Sequence, residues 1–427
     1  MSAPVIREAV GSQGVLGCGL SARGLTALLL VAMSLRIAWG ALVPVLPVSD
    51  SHAYDTFART LLDSGVYGWN KDEPFAFWPP GTSLLYAATY KIFGAHFAGV
   101  LGLNLVLSAA LIVLGMRIAC RQYGTRCAQG TGWILALWPT LIMFTTVLAS
   151  ELPFSVFTAA ALDVWSDASL GNPLRGILAG ALLGCAALVR PVALALPAVF
   201  AAGMLFERRL SGVAVIAQLR VAVPALLAMV CVIAPWTLRN YDHYQEFVLI
   251  STNGGVTLWM GNAPGTTGEY MELPAWTGKL RDDERNEALG TLARKYIADD
   301  PMGFVTRSLR KLVWLYSHES IGVAWNQAGI SRQFGDWTLK PLRMLTHASW
   351  ALICGAAIWG LAIAGMKNGW RATLLGPIAL CIGFYSAVHA VVVSQDRYHL
   401  EFAVQMAVLA GIAVARFGRR ERAFTVM

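Results

Sequence analysis

"LPVSDSHAYDTFARTLLDSG", residues 46–65, joins two environments with no linker between them. A long apolar run ends there, and Asp50, His52 and Asp55 follow at once. A carboxylate beside hydrocarbon is costly unless it is paired or used, so such groups mark ion pairs, substrate paths or chemistry. Within the stretch, Tyr54, Phe57, Ala58, Leu61 and Leu62 recur at helical spacing. Asp55, Arg59 and Asp63 occupy the opposite face, and Gly65 suits a stop. The pattern predicts an amphipathic helix lying in the membrane interface, directly after a membrane helix. Asp50 has two compatible readings: with Ser51 it offers an N-cap, and at a membrane exit it offers a catalytic carboxylate.

The rest of the chain agrees with a membrane setting. Of 427 residues, 56% are hydrophobic and only 14% charged, with mean hydropathy +0.56. Soluble domains carry about a quarter charged residues. The net charge of +8 calls for no nucleic acid, because a charge bias across a lipid bilayer explains it. The first apolar run lacks a short core followed by a small-residue cleavage site, so it reads as a retained anchor.

Spans of about 20 apolar residues fall near 24–46, 97–116, 129–148, 152–168, 174–189, 191–206, 216–238, 345–366, 372–394 and 399–416. With both termini cytoplasmic, the inside loops hold Arg117, Arg121, Arg126, Arg208, Arg209, Lys367 and Arg371. The short outside turns carry only Arg190, in keeping with the positive-inside rule. The expected organisation is a cytoplasmic tail (1–23), a membrane module (24–238) with a first outer loop (47–96), an extracytoplasmic domain (239–344), further membrane helices (345–416) and a basic tail (417–427). Cys18, Cys120 and Cys127 fall on the cytoplasmic side, and the other cysteines fall within helices. No disulfide and no metal-ligand spacing is expected.

Polar groups gather on the outer side. "FAFWPPGTSLLYAATYKIFG", residues 75–94, opens with a rigid Pro-Pro-Gly turn and continues as a helix. Lys71 precedes it and Lys91 lies near its end, either to pair with a lipid phosphate or to snorkel. In "TTVLASELPFSVF", residues 145–157, Glu151 either complements a helix dipole or supplies a second active-site carboxylate. Arg190 precedes Pro191, Arg239 follows a span in "APWTLRNYDHY", and Arg397 opens another in "SQDRYHLEFA". Each could anchor its helix at the interface. Three at one depth as two carboxylates favour an anion site, since arginine directs several donors at a phosphate.

The outer domain begins "ISTNGGVTLWMGNAPGTTGEY", residues 250–270. Its glycines read as turns, with a short strand through Val256, Leu258 and Met260. Residues 282–315 read as helix with a break at Asp300-Pro301 and a solvated charged face. The expected domain is small and mixed α/β.

These motifs, in this order over roughly residues 25–410, resemble the GT-C glycosyltransferases. The likeness is to the dolichyl-phosphate-mannose–protein mannosyltransferase type, with the bacterial aminoarabinose and rhizobial lipopolysaccharide sugar transferases. The resemblance rests on "SDSHAYDTFARTLLDSGVYG", "FWPPGTSLLYAATYKIFG", "ASELPF", "LVRPVALALP", "PWTLRNY", the 250–270 stretch and "DRYHLEF". It implies an all-α polytopic fold with about ten transmembrane helices and interfacial helices in the first outer loop. It implies one sugar moved from a polyprenyl-phosphate donor to a lipid, glycan or protein acceptor of the envelope. The site would face the periplasm of a bacterial inner membrane. By that likeness Asp50 is the first-loop acid and Glu151 the second. Arg190, Arg239 and Arg397 match recurring arginines, and Lys71, His52, Tyr54 and Tyr398 stand beside them as substrate-binding candidates. Many relatives carry Asp-Glu where this chain has Asp50-Ser51. That departure weakens the case for a divalent metal without removing it, and no cofactor is required. The expected chemistry is a single inverting displacement with Asp50 as base. The rivals are a transporter or flippase of lipid-linked saccharides, an O-antigen ligase or polymerase, and a non-catalytic scaffold. A transporter would place charge near the midplane, where Arg36 and Asp163 are the clearest cases.

Overall fold

The computed structural model describes residues 21–207 and 212–424, and they are almost wholly helical. The sheet content among them is one antiparallel hairpin, Gly68–Asn70 with Glu73–Pro74, in the first outer loop. Each apolar run of the sequence forms a helix or a broken helix. By length and composition six helices can cross a membrane, and a seventh span arises if one bent pair is counted. Glu151–Ser166, Pro191–Phe206 and Pro377–Val391 are shorter. Cys18, Arg208 and Arg209 lie outside the described residues, and Cys127, Cys185, Cys231, Cys354 and Cys381 are free thiols.

Intramembrane charges serve the scaffold. Helices Thr125–Leu137 and Pro139–Thr146 meet at 55°, because Pro139 cannot donate to the helix ladder. The break frees carbonyls that water cannot reach, and each needs a donor. Arg36 supplies them: Nη2 reaches the Leu135 carbonyl at 3.0 Å, and Nη1 reaches Ala136 at 2.9 Å and Ala32 at 3.1 Å. Asp163 is held by Arg117 at 2.8 Å and Arg121 at 2.9 Å. Helices Asn172–Val189 and Gly212–Tyr244 touch through small residues; a Cβ on Gly180 would lie 2.0 Å from the Ala225 carbonyl oxygen.

The interfacial helix is Asp50–Ser64, with Ala53, Tyr54, Phe57 and Ala58 buried and Leu62 exposed. It ends at Gly65 in the left-handed conformation (φ 75°), which glycine adopts without steric cost. Ser49, just before it, holds φ 53° and ψ −129° without being glycine. Such backbone costs about 1–3 kcal/mol and gathers at functional sites.

The outer domain is helical throughout, so the expected strand at 256–260 is corrected to a helix, Gly254–Asn262. Val256, Trp259, Met260 and Ala263 form its buried face, a helical spacing that overrides the apparent alternation. Its glycines serve close approach as well as turning. A Cβ on Gly255 would meet the Asn286 carbonyl at 2.0 Å, and one on Gly261 would meet the Val392 backbone at 2.7 Å. The break at Asp300-Pro301 is present, with Asp300 capping the Gly303 amide at 2.8 Å. The solvated charged face expected over 282–315 fails at Lys311, which is fully buried and donates to the Val391 carbonyl at 2.8 Å.

Candidate active site

Four chain corners converge at one end of the membrane helices. They are the start of Asp50–Ser64, the start of Glu151–Ser166, the Arg190-Pro191 corner, and the 3-10 turn Tyr398–Phe402. They border a cavity of about 850 Å³ whose aromatic wall includes Trp69, Phe75, Phe77, Trp78, Trp325 and Tyr398. That volume lies in the upper part of the range of ligand pockets.

Asp50 is not a helix cap. Its Oδ2 accepts from Arg397 Nη1 at 2.6 Å, and its Oδ1 accepts from Trp78 Nε1 at 3.1 Å. Arg397 comes from the far end of the chain and also lies over the Trp325 ring at 4.8 Å. Its Nε donates to Gln395 Oε1 at 2.8 Å, and its Nη1 lies 3.6 Å from Glu151. Behind this pair, Arg190 donates to Glu151 Oε1 at 2.5 Å, to Ser150 Oγ at 2.9 Å, and to Glu401 Oε1. His389 Nε2 stands 3.3 Å from Glu401, and its ring stacks on Tyr398 at 4.3 Å. Three carboxylates therefore face two guanidinium groups.

The electrostatics follow from those contacts. Burial alone would push the Asp50 carboxyl up, but the Arg397 charge and hydrogen bond, with the Trp78 indole, hold it below its usual range. Burial opposes charge on Arg397 and Arg190 as well, and their carboxylate partners prevail in both. The Tyr54 phenol is pushed up, first by burial and then by the Asp50 charge, so it stays protonated.

Asp50, Tyr54, Arg190, Arg397 and Tyr398 line the cavity. Glu151 does not: it is 1% exposed and sits behind Arg190. Arg239 is turned to the backbone, donating to the Tyr67 carbonyl at 3.1 Å and the Phe75 carbonyl at 3.4 Å, and so braces the first outer loop. Lys71 is exposed in the hairpin turn, and His52 is exposed with its ring 6.1 Å from Trp69; neither lines the cavity. The sequence reading omitted Glu401 and His389. Glu401 had a signal, an acid inside the last apolar run four positions after Arg397. Among the described residues no group of three or more His, Cys, Asp or Glu side chains could hold a metal ion. Asp50, Glu151 and Glu401 are each committed to a guanidinium.

A solved archaeal enzyme shares this architecture. The Archaeoglobus fulgidus oligosaccharyltransferase, in complex with zinc and sulfate, matches with TM-score 0.55 at 14% identity over 93% of this chain and 49% of its own. The archaeal oligosaccharyltransferase AglB from the same organism, in complex with an inhibitory peptide and a dolichol-phosphate, gives TM-score 0.57 at 13% identity. That match covers 94% of this chain and 51% of AglB. ArnT from Cupriavidus metallidurans bound to undecaprenyl phosphate gives 0.39 at 15% identity, over 93% of this chain and 79% of its own. The fold is shared with the archaeal oligosaccharyltransferase. The chain spans about half the length of the archaeal enzyme. No protein-family profile matches the chain, and no curated protein does.

Proposed function

We propose that the chain is a glycosyltransferase that moves one sugar from a polyprenyl-phosphate carrier to a hydroxyl-bearing envelope acceptor on the extracytoplasmic face. The observation that carries this reading is the Asp50–Arg397 pair in the cavity wall, at the junction of the interfacial helix and the membrane helices. A lipid-borne donor reaches such a junction from the bilayer, and an acceptor reaches it from water. The archaeal enzyme of this fold binds a dolichol-phosphate, which supports the donor class.

The chemistry is a single displacement. The acceptor oxygen attacks the anomeric carbon, a new C–O bond forms, and the bond to the phosphate oxygen breaks with its electron pair leaving on phosphate. Charge develops on that phosphate and needs positive donors. Arg397 supplies them by exchanging Asp50 for the phosphate. The exchange removes the charge that depresses the Asp50 carboxyl, and Asp50 becomes a better acceptor for the hydroxyl proton. Glu151 and Glu401 hold Arg190 in place beside it. No step passes through a metal. Arg36 and Asp163, the groups a transporter would use at depth, are engaged by backbone carbonyls and by arginines, which favours surface chemistry over translocation. Arg117 and Arg121 on the opposite side fit a cytoplasmic loop.

The test uses purified protein in lipid nanodiscs with a panel of polyprenyl-phosphate sugars and an envelope extract as the source of acceptor hydroxyls, following release of free polyprenyl phosphate. Release by the wild type, with Asp50→Asn slower by about 10²–10⁴-fold, is expected. Equal release by both forms, or movement of intact lipid-linked sugar without release, overturns the proposal.

A further inference from the structure

A third guanidinium borders the cavity, and it is uncommitted. Arg285 lies in the first turns of helix Asp282–Asp299, on the outer-domain side. Its side chain has no hydrogen bond and no ion pair among the described residues, and its Nε is buried without a partner. Its contacts are the Phe75 and Phe77 rings, each 6.0 Å from the guanidinium carbon. That is the outer limit of a useful cation–π approach.

The nearby acids explain why Arg285 is bare. Asp282 Oδ2 is taken by the Ala76 amide at 3.0 Å, Tyr244 at 2.8 Å and Thr252 at 2.7 Å. Asp283 pairs with Arg281 at 2.7 Å, and Glu284 accepts the Arg281 amide at 3.0 Å. The same Asp282 contacts pin the helix start to the first outer loop, and Gly255 lets the neighbouring helix approach closely. Arg285 is thus held rigidly where no protein carboxylate reaches it. Across the cavity, Arg190 and Arg397 are already matched by carboxylates. Asn253 also lines the cavity on the Arg285 side. Its Oδ1 accepts from Ser251 at 3.0 Å, and its Nδ2 carries no bond among the described residues.

From this we infer that Arg285, with Asn253 beside it, forms a phosphate-binding subsite, separated from the Asp50–Arg397 pair by the Phe75, Phe77 and Trp78 wall. An uncommitted guanidinium in apolar surroundings binds an oxyanion more strongly than one already paired. The inference rests on the transferase reading for its purpose. The phosphate is either the head group of the lipid carrier, held here before it moves to Arg397, or a phosphate carried by the acceptor.

Thermal unfolding of the detergent-solubilised full chain separates these sources, with undecaprenyl phosphate, uncharged undecaprenol and glycerol 3-phosphate as probes. Arg285→Gln removes no hydrogen bond, so its fold should survive, and Arg285→Lys retains a charge. A lipid source gives stabilisation by undecaprenyl phosphate beyond undecaprenol, with apparent affinity at least tenfold weaker in Arg285→Gln and partly restored in Arg285→Lys. An acceptor source gives that same loss for glycerol 3-phosphate alone. Unchanged affinity for both phosphates in Arg285→Gln, or no phosphate binding by the wild type, overturns the inference. Asp50→Asn, carried alongside, keeps phosphate binding and loses transfer. If it keeps transfer while the Arg285 dependence holds, the catalytic reading falls and the subsite stands.

Discussion

Replacing Arg397 by methionine removes the cation on which Asp50 rests. The pair is 2.6 Å apart, with side-chain exposures of 11% for Arg397 and 21% for Asp50. Unit charges roughly 4 Å apart at an effective dielectric near 20 interact by about 4 kcal/mol. Partial exposure screens this to about 2 kcal/mol. Arg397→Met also leaves a mostly buried carboxylate with the Trp78 indole as its hydrogen-bond partner, and should cost about 3 kcal/mol. Asp50→Asn is milder, about 1 kcal/mol, because Arg397 keeps Gln395 at 2.8 Å and Glu151 at 3.6 Å. The double variant should then cost about 2 kcal/mol, a coupling of about 2 kcal/mol. Unfolding in mixed micelles of rising dodecyl sulfate content, read by tryptophan fluorescence, gives all three values.

The pH dependence carries a sign. In the wild type the Asp50 carboxyl is held below its usual range. Its contribution is therefore full above that range and lost as pH falls through the lowered value. In Arg397→Met burial, the largest influence, outweighs the remaining Trp78 hydrogen bond and Arg190 charge and raises the carboxyl. The variant then loses stability as pH rises through the raised value, and its deficit narrows from pH 7 to pH 5. Additivity of the two substitutions within about 0.5 kcal/mol, or a deficit that widens on acidification, refutes the pairing.

Three other outcomes follow from the geometry. Lys311 is brought down by burial to about 8, so the folded state binds fewer protons than the unfolded one above that value. Wild-type stability should rise from pH 8 to pH 10 relative to Lys311→Met, by about 1–3 kcal/mol, in the same micelle assay. Gly255→Val would push side-chain atoms into the Asn286 carbonyl, which a Cβ alone would meet at 2.0 Å. A loss of about 2 kcal/mol or more is expected, together with early proteolysis of the outer domain. Trp78→Phe keeps the aromatic wall and removes the indole donor to Asp50. Product formation should fall by about tenfold, the equivalent of one hydrogen bond, with little change in stability.

Helix positions were legible in the sequence because apolar runs long enough to span a bilayer have few alternatives. The interfacial helix and its stop at Gly65 were readable for the same reason, from spacing and a single glycine. The strand expected at 256–260 was not, because Val256 and Met260 fit both periods and the deciding partner, helix Asp282–Asp299, is distant in sequence. Asp50, Arg190 and Arg397 stood out as charges at membrane boundaries. Which of them pair did not, since 347 positions separate Arg397 from Asp50 and 211 separate Arg190 from Glu401. Arg239 looked like the other arginines, and only the three-dimensional arrangement shows it spent on loop carbonyls. Arg285 was invisible because its distinction is a lack of partners, which spacing does not encode.

The central claim is that the Asp50–Arg397 centre transfers a sugar from a lipid phosphate. The most direct measurement compares envelope lipids and glycans by mass spectrometry. The cells lack the gene and are complemented, at matched membrane levels, with wild type, Asp50→Asn or Arg397→Met. The expected result is a product one sugar residue heavier with the wild type and its absence in both variants. Persistence of that product with Asp50→Asn at wild-type abundance would contradict it.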